Sequence, residues 1–172
     1  MRTMLRWACC AALAFSATGL RADEVEIPLD KVPKAVLDTV KKRFPKAELT
    51  EAAKETDGDK VSYEVSIKNG ESKIDVTLTP EGVLTMIETE IPAKDLPKAV
   101  TDAVEAKYPK AALKLAETVV KVADGKEKLA HYEVVIDAAD KKTYELQVSE
   151  DGKILMTEEK KEENKEDKKD KK

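Results

Sequence analysis

Val32, Val36, Val40 and Phe44 recur every four residues, and so do Leu96, Val100, Val104 and Tyr108. Each set makes one apolar stripe along a helix, and in the first set Lys34, Asp38, Lys41 and Lys42 lie largely off it. Pro33 and Pro97 stand in the first turn, where the missing N–H has no helical partner to lose. Pro45 and Pro109 close the pattern, because a residue before proline is pushed out of helical geometry. Two helices of about three turns are predicted, and neither is long enough to persist alone. Each must lay its stripe on another layer.

The period then changes from four to two. "AELTEAAKET" predicts a first strand with weak alternation, and Asp57-Gly58 a turn. In "VSYEVSIK", Tyr63, Val65 and Ile67 point one way and Ser62, Glu64, Ser66 and Lys68 the other. Asn69-Gly70 is a hairpin signal, since a type I′ turn needs positive φ at both centres. "KIDVTLT" alternates again, with Ile74, Val76 and Leu78 against Lys73, Asp75, Thr77 and Thr79. "PEG" makes another turn and "VLTMIE" a fourth strand. The later half repeats the order, through Tyr132, Val134 and Ile136, then Tyr144, Leu146 and Val148, then Ile154 to Met156. Tight turns between successive strands make them antiparallel.

The two halves are copies. "VPKAVLDTVKKRFPKA" at 32–47 returns as "LPKAVTDAVEAKYPKA" at 96–111, and residues 27–53 align without gaps on 91–117. After a few extra residues in the second copy, the "YEV" at Tyr63 reappears at Tyr132, and the "EG" at Gly82 returns as "DG" at Gly152. The fold class expected is α+β: two tandem repeats, at 23–90 and 91–157, each one helix packed on a four-stranded antiparallel sheet. The helix covers one face and the other is polar. The link from Glu88 to Asp95 is too short for a free tether, so the units should hold a fixed relation, a continuous sheet being one arrangement.

Residues 1–22 follow neither period. Arg2 and Arg6 precede an apolar run from Trp7 to Leu20, and Arg21-Ala22 leads into Asp23-Glu24. This is the order of a secretory signal peptide, with cleavage after Ala22 expected and Ala17 the alternative. Its removal takes away Cys9, Cys10 and Trp7, so the mature chain holds no cysteine for disulfides, thiol chemistry or thiolate metal sites. Arg2, Arg6 and Arg21 leave too, while all 35 acidic residues stay, so formal charge moves from −4 to −7. That balance argues against a nucleic-acid partner. No later segment is long and apolar enough to span a membrane. The last stretch, 158–172, "EEKKEENKEDKKDKK", contains no apolar residue and is expected to be a disordered, solubilising tail.

Catalytic chemistry has little to work with. The single histidine, His131, has no second histidine to pair with on a metal, and it is expected to be solvated. Neither a Gly-rich phosphate loop nor a G-x-S-x-G elbow occurs. "DGD" at Asp57 lacks the remaining oxygen positions of a calcium loop. No catalytic, cofactor-binding or metal residues are therefore assigned. What stands out instead is the outward row of the central strands: Glu64, Asp75 and Thr77 in the first copy, His131, Glu133, Glu145 and Gln147 in the second. They are the candidate partner-binding residues, on a polar, acid-leaning sheet face.

The order "LPKAV…KYPKA…YEV…DGKIL", present twice, resembles the PepSY-like family of secreted bacterial proteins, whose fold is related to the β-lactamase-inhibitor protein. The resemblance implies a helix on an antiparallel sheet, a periplasmic or secreted location, and a binding or inhibitory role without catalysis or cofactor. The expectation is a non-catalytic module that binds an envelope or secreted protein, as regulator or inhibitor of an envelope enzyme such as a peptidase. The alternative is a sensor of a small ligand or divalent cation on the acidic face.

Overall fold

The structure is a computed structural model, and it describes residues 23–160. The expected signal peptide and most of the expected tail lie outside the described residues. Two α-helices form where the period-four stripes fall, α1 at Lys34–Arg43 and α2 at Lys98–Lys107. Single 3₁₀ turns, Leu29–Lys31 and Ala93–Asp95, lead into them. Pro33 and Pro97 are the N-cap residues, with φ of −54° and −56° that suit the ring. Phe44 and Tyr108 are C-caps whose N–H groups donate to Val40 O and Val104 O at 2.8 Å. The buried part of the first stripe is thus Val32, Val36 and Val40, while Phe44 is only half-buried at the helix end.

Among the described residues nine strands follow the chain in spatial order, every neighbour antiparallel. They are β1 (Asp23–Glu26), β2 (Glu48–Asp57), β3 (Lys60–Asn69), β4 (Ser72–Leu78), β5 (Leu84–Glu90), β6 (Ala112–Ala123), β7 (Lys126–Asp137), β8 (Thr143–Val148) and β9 (Ile154–Lys160). This corrects the expectation of a four-stranded sheet for each repeat, and the continuous sheet that the short link allowed is the arrangement found. One sheet carries both helices, and β1 adds a strand that the alternation did not announce. The join is β5 against β6, from Met86↔Lys121 to Glu90↔Glu117. The fourth predicted strand, β5, runs past Glu88, its expected end, to Glu90, a residue expected in the connecting link.

Both cores lie on one side of this sheet. Val65, Ile67, Val76, Leu78 and Ile87 meet the α1 stripe. Ala116, Val134, Ile136, Leu146 and Val148 meet Leu96, Val100 and Val104 of the second helical segment. Ile87 pairs with Val120, and Val120 and Ala116 share a face of β6, which puts the two cores on the same side. The β6–β7 hairpin is lengthened by the extra residues of the second copy. Its Val120 and Val122 pack against the α1 core, and Arg43 Nη2 at the end of α1 donates to Glu127 Oε1 at 2.9 Å. The halves are therefore interlocked.

The last strand also runs further than expected. Glu158, Glu159 and Lys160, assigned from composition to the tail, pair with Glu145, Tyr144 and Thr143. Lys142 to Glu159 at 2.8 Å and Lys160 to Glu145 at 2.5 Å hold them laterally. Backbone pairing at a sheet edge does not need apolar side chains, which is why composition misplaced the boundary. Among the described residues no helix is long and apolar enough to cross a membrane.

Each helix is seated on a glycine. Gly82, in the β4–β5 turn, has φ of +81°, and a Cβ built there would stand 2.5 Å from Ala35 O of α1. Gly152, in the β8–β9 turn, has φ of +85° and would meet Ala99 O of α2 at 2.5 Å. Both the dihedral and the close backbone approach demand glycine. Thr39 Oγ1 fixes the first contact by donating to Gly82 O at 2.9 Å. Replacing Gly82 by Ala should cost roughly 1–3 kcal/mol for the dihedral alone, with the clash added. The check is a urea midpoint, with Gly58→Ala as the control. Gly58 has a similar positive φ but open space around its Cβ position, so it should lose less.

Candidate functional site

The second side of the sheet carries no helix, and cross-strand register decides which residues stand on it. Glu64 pairs with Thr77, Ser66 with Asp75, Glu133 with Gln147, Val135 with Glu145, and Val119 with His131. All seven candidate residues therefore share the face opposite the helices. The register adds others that the sequence reading did not select. Asp75 lies opposite Glu88, Glu90 opposite Glu117, and Glu117 opposite Glu133. Glu24/Glu55 and Glu145/Glu158 repeat the arrangement towards the two edges. Like charges directly across a ladder stand about 4.5–5.5 Å apart at Cβ and destabilise the pairing. A run of such pairs on one face is a cost that the fold itself does not require.

The face is not uniformly solvated. Ala53, Thr77, Val119 and His131 are 6%, 7%, 1% and 8% exposed although no helix covers them. All four lie in strands that are paired on both sides. This corrects the expectation for His131. It lies on the expected face but is buried beside Val119, with Nε2 3.2 Å from Glu133 Oε1. Gln147 Nε2 donates to the same oxygen at 3.0 Å. Glu133 is thus held by two neighbours, Lys160 sits on Glu145, and Lys73 lies 3.2 Å from Glu90.

Glu64, Glu88 and Glu117, one each from β3, β5 and β6, are different. Burial is the largest cause pushing Glu64 up to about 7, followed by Asp75, Glu55, Glu24 and Glu117. Glu88 is pushed up to about 8, by burial and then by Glu133, Glu64, Glu117 and Asp75. Glu117 rises to about 7, by burial and then by Asp75, Glu133, Glu90 and Glu145. Desolvation and like charge both disfavour the carboxylate, and the charges that act most strongly on these three are all carboxylates. The result is a contiguous strip whose central members exchange protons near neutrality. Among the described residues no group of three or more His, Cys, Asp or Glu side chains is placed to hold a metal ion.

The signal for Glu88 and Glu117 was present but weak. Glu88 and Glu90 are two apart in "IETEI", and Glu117 and Val119 two apart in "AETVV". Their strands carry apolar residues on both faces, Met86 beside Ile87 and Val119 beside Val120, so the alternation is blurred.

The family model described as beta-lactamase-inhibitor-like, PepSY-like matches residues 18–86 and 61–157. A BLIP-like protein of Bacteroides fragilis NCTC 9343 is 21% identical, with 77% of this chain and 87% of that one covered and a TM-score of 0.54. A protein of Bacteroides eggerthii DSM 20697 described as periplasmic is 18% identical, over 74% and 88% of the two chains, with a TM-score of 0.58. A DUF2874 family protein of Bacteroides uniformis ATCC 8492 is 16% identical, over 74% and 88%, with a TM-score of 0.56. At these identities the likeness is one of fold. No curated protein matches significantly.

The carboxyl strip makes stability depend on pH with a definite sign. The three groups bind protons more tightly folded than unfolded, so their stabilisation is complete below the unfolded value of 4.5 and is lost as pH rises through 7–8. The urea midpoint should therefore fall between pH 4.5 and 8 and level off above. Glu88→Gln should flatten the profile and stabilise the protein at pH 8.5, by roughly 1–3 kcal/mol. A wild-type midpoint flat over that window would contradict the assignment.

Proposed function

The chain belongs to the beta-lactamase-inhibitor-like, PepSY-like family, and from that premise we propose that it is an exported, non-catalytic binding module that docks a cationic protein on its uncovered sheet face. The observation that carries the reading is the run of opposed carboxylates on that face. Such an arrangement costs stability in the free protein, and a partner presenting Lys or Arg would relieve it on contact. Glu64, Asp75, Glu133, Glu145 and Gln147 form the docking surface, with Glu88 and Glu117 at its centre and the buried Thr77 and His131 supporting it from the sheet. The coarse role agrees with the family, a fold shared with BLIP-like and periplasmic proteins. The finer role is regulation or inhibition of an envelope enzyme, with the partner's basic surface seated across β3 to β8. A standard interface buries about 800 Å² per partner, which a face several strands wide supplies.

Proton linkage gives the binding its own signature. A cation near Glu64, Glu88 and Glu117 favours their ionised forms, so docking below pH 7 must release protons. Association with a basic partner should tighten as pH rises from 6 to 8, opposite in sign to the stability of the free protein.

The test is capture from envelope extract by the wild type and by Glu64→Gln/Glu88→Gln/Glu117→Gln. Glutamine keeps the shape and removes the charge, so the variant should fold at least as well. The wild type is expected to hold partners that elute as salt rises, since exposed charges are screened beyond about 8–10 Å at 0.1–0.15 M. The variant should lose them. Equal capture by both proteins, with the same salt dependence, would remove the face from the reading.

A further inference from the structure

On its buried side the sixteen-residue phrase changes at Val32/Leu96, Leu37/Thr101, Thr39/Ala103 and Phe44/Tyr108, and at Leu37/Thr101 a branched aliphatic side chain gives way to a shorter, polar one. Leu37 packs against the α1 core. At Thr101 the side chain is shorter and polar, and its Oγ1 turns back to donate to Lys98 O at 2.9 Å. A half-open cavity of about 210 Å³ lies beside it, between α2 and the β6–β7 ladder. Its walls include Leu96, Val104, Val134 and Ile136, all at most 8% exposed. Leu113 stands 38% exposed at the rim, and the charged lining residues, Glu105 and Lys110, are exposed at the mouth.

Collapse of the walls is opposed. The Tyr108 ring, which lines the space, is stacked on Tyr144 with centroids 4.7 Å apart. Tyr144 is in turn tied down by its hydroxyl, which donates to Asp140 Oδ2 at 2.8 Å. The position aligned with Tyr144 in the first copy is Ile74, so the tyrosine pair belongs to the second half alone. Cores relax only partly around missing methyl groups, and a wall held by a stacked pair relaxes less.

We propose that this cavity is a binding site for a small, neutral aromatic molecule of one or two rings. Its volume exceeds the roughly 150 Å³ of an apolar cavity that takes benzene and falls short of the 300 Å³ or more of a site for drug-sized ligands. Buried apolar walls exclude a charged group from the depth of the site. The Tyr108 ring offers an aromatic surface for offset or edge-on contact. The half-open mouth gives entry without unfolding. The site lies on the helix side of the sheet, away from the carboxyl face, and does not depend on the role proposed for that face.

Indole is the probe, added to the purified protein and followed by ¹⁵N-resolved NMR. Saturable shifts should cluster on α2, Tyr108 to Leu113 and the Val134–Ile136 stretch, with a dissociation constant on the order of 0.1–1 mM. Thr101→Leu restores the side chain of the first copy and should weaken binding by about tenfold or more while raising the melting temperature. Thr101→Ala leaves the space open and should retain binding, which separates filling the cavity from merely altering α2. Absence of saturable shifts in the wild type would overturn the proposal. So would the same affinity in Thr101→Leu, or shifts that map elsewhere.

Discussion

Two ten-residue helices can dry only one side of a nine-stranded sheet, and that one-sidedness governs the rest of the molecule. The apolar residues of both halves converge on the covered side, where Val36, Val65, Val76, Val100, Val134 and Leu146 are fully buried. Tight seating of each helix against a glycine turn keeps this layer thin. Because β5 pairs with β6, the two covered areas fuse into one, and so do the two uncovered ones. A strip of side chains that would be two short rows on separate sheets becomes one surface.

The uncovered surface holds carboxylates where a fold selected for stability alone would interleave charges of both signs. Asp75 pairs with Glu88, Glu90 with Glu117 and Glu117 with Glu133, and Glu88 and Glu90 are same-face neighbours along β5. Some are neutralised locally, as Glu145 is by Lys160 and Glu90 by Lys73. Glu64, Glu88 and Glu117 instead meet burial and further negative charge, and protonation is the response open to them. The hydrophobic layer thus carries a destabilising layer on its back, and the two are consistent if the second layer is completed by another molecule's cations.

Much of the covered side was legible in the sequence. A spacing of four between prolines defines α1 and α2, and Asn69-Gly70 with the alternation around it defines β3 and β4. Glu64, Asp75, Glu133 and Glu145 followed from parity along strands that alternate cleanly. The short link allowed a continuous sheet, but the strands that make the join were not legible, because β5 and β6 are separated by the whole of α2 and their pairing leaves no local mark. Glu88 and Glu117 were missed for the same reason, since each belongs to one of those two strands. The burial of His131 depends on Val119 across the ladder, a relation set by register and not by composition. The second-half cavity, by contrast, lies beside the Leu37/Thr101 difference, which the sequence shows and the fold places.

The most direct test of the central claim is a titration of the side-chain carboxyl ¹³C resonances of the strip. The account expects a midpoint near 8 for Glu88 and near 7 for Glu64 and Glu117. Addition of a Lys-rich peptide should move all three downward. Midpoints near the ordinary glutamate value of 4.5, unmoved by the peptide, would mean that the uncovered face is fully solvated and that its carboxylates are not poised to meet a partner.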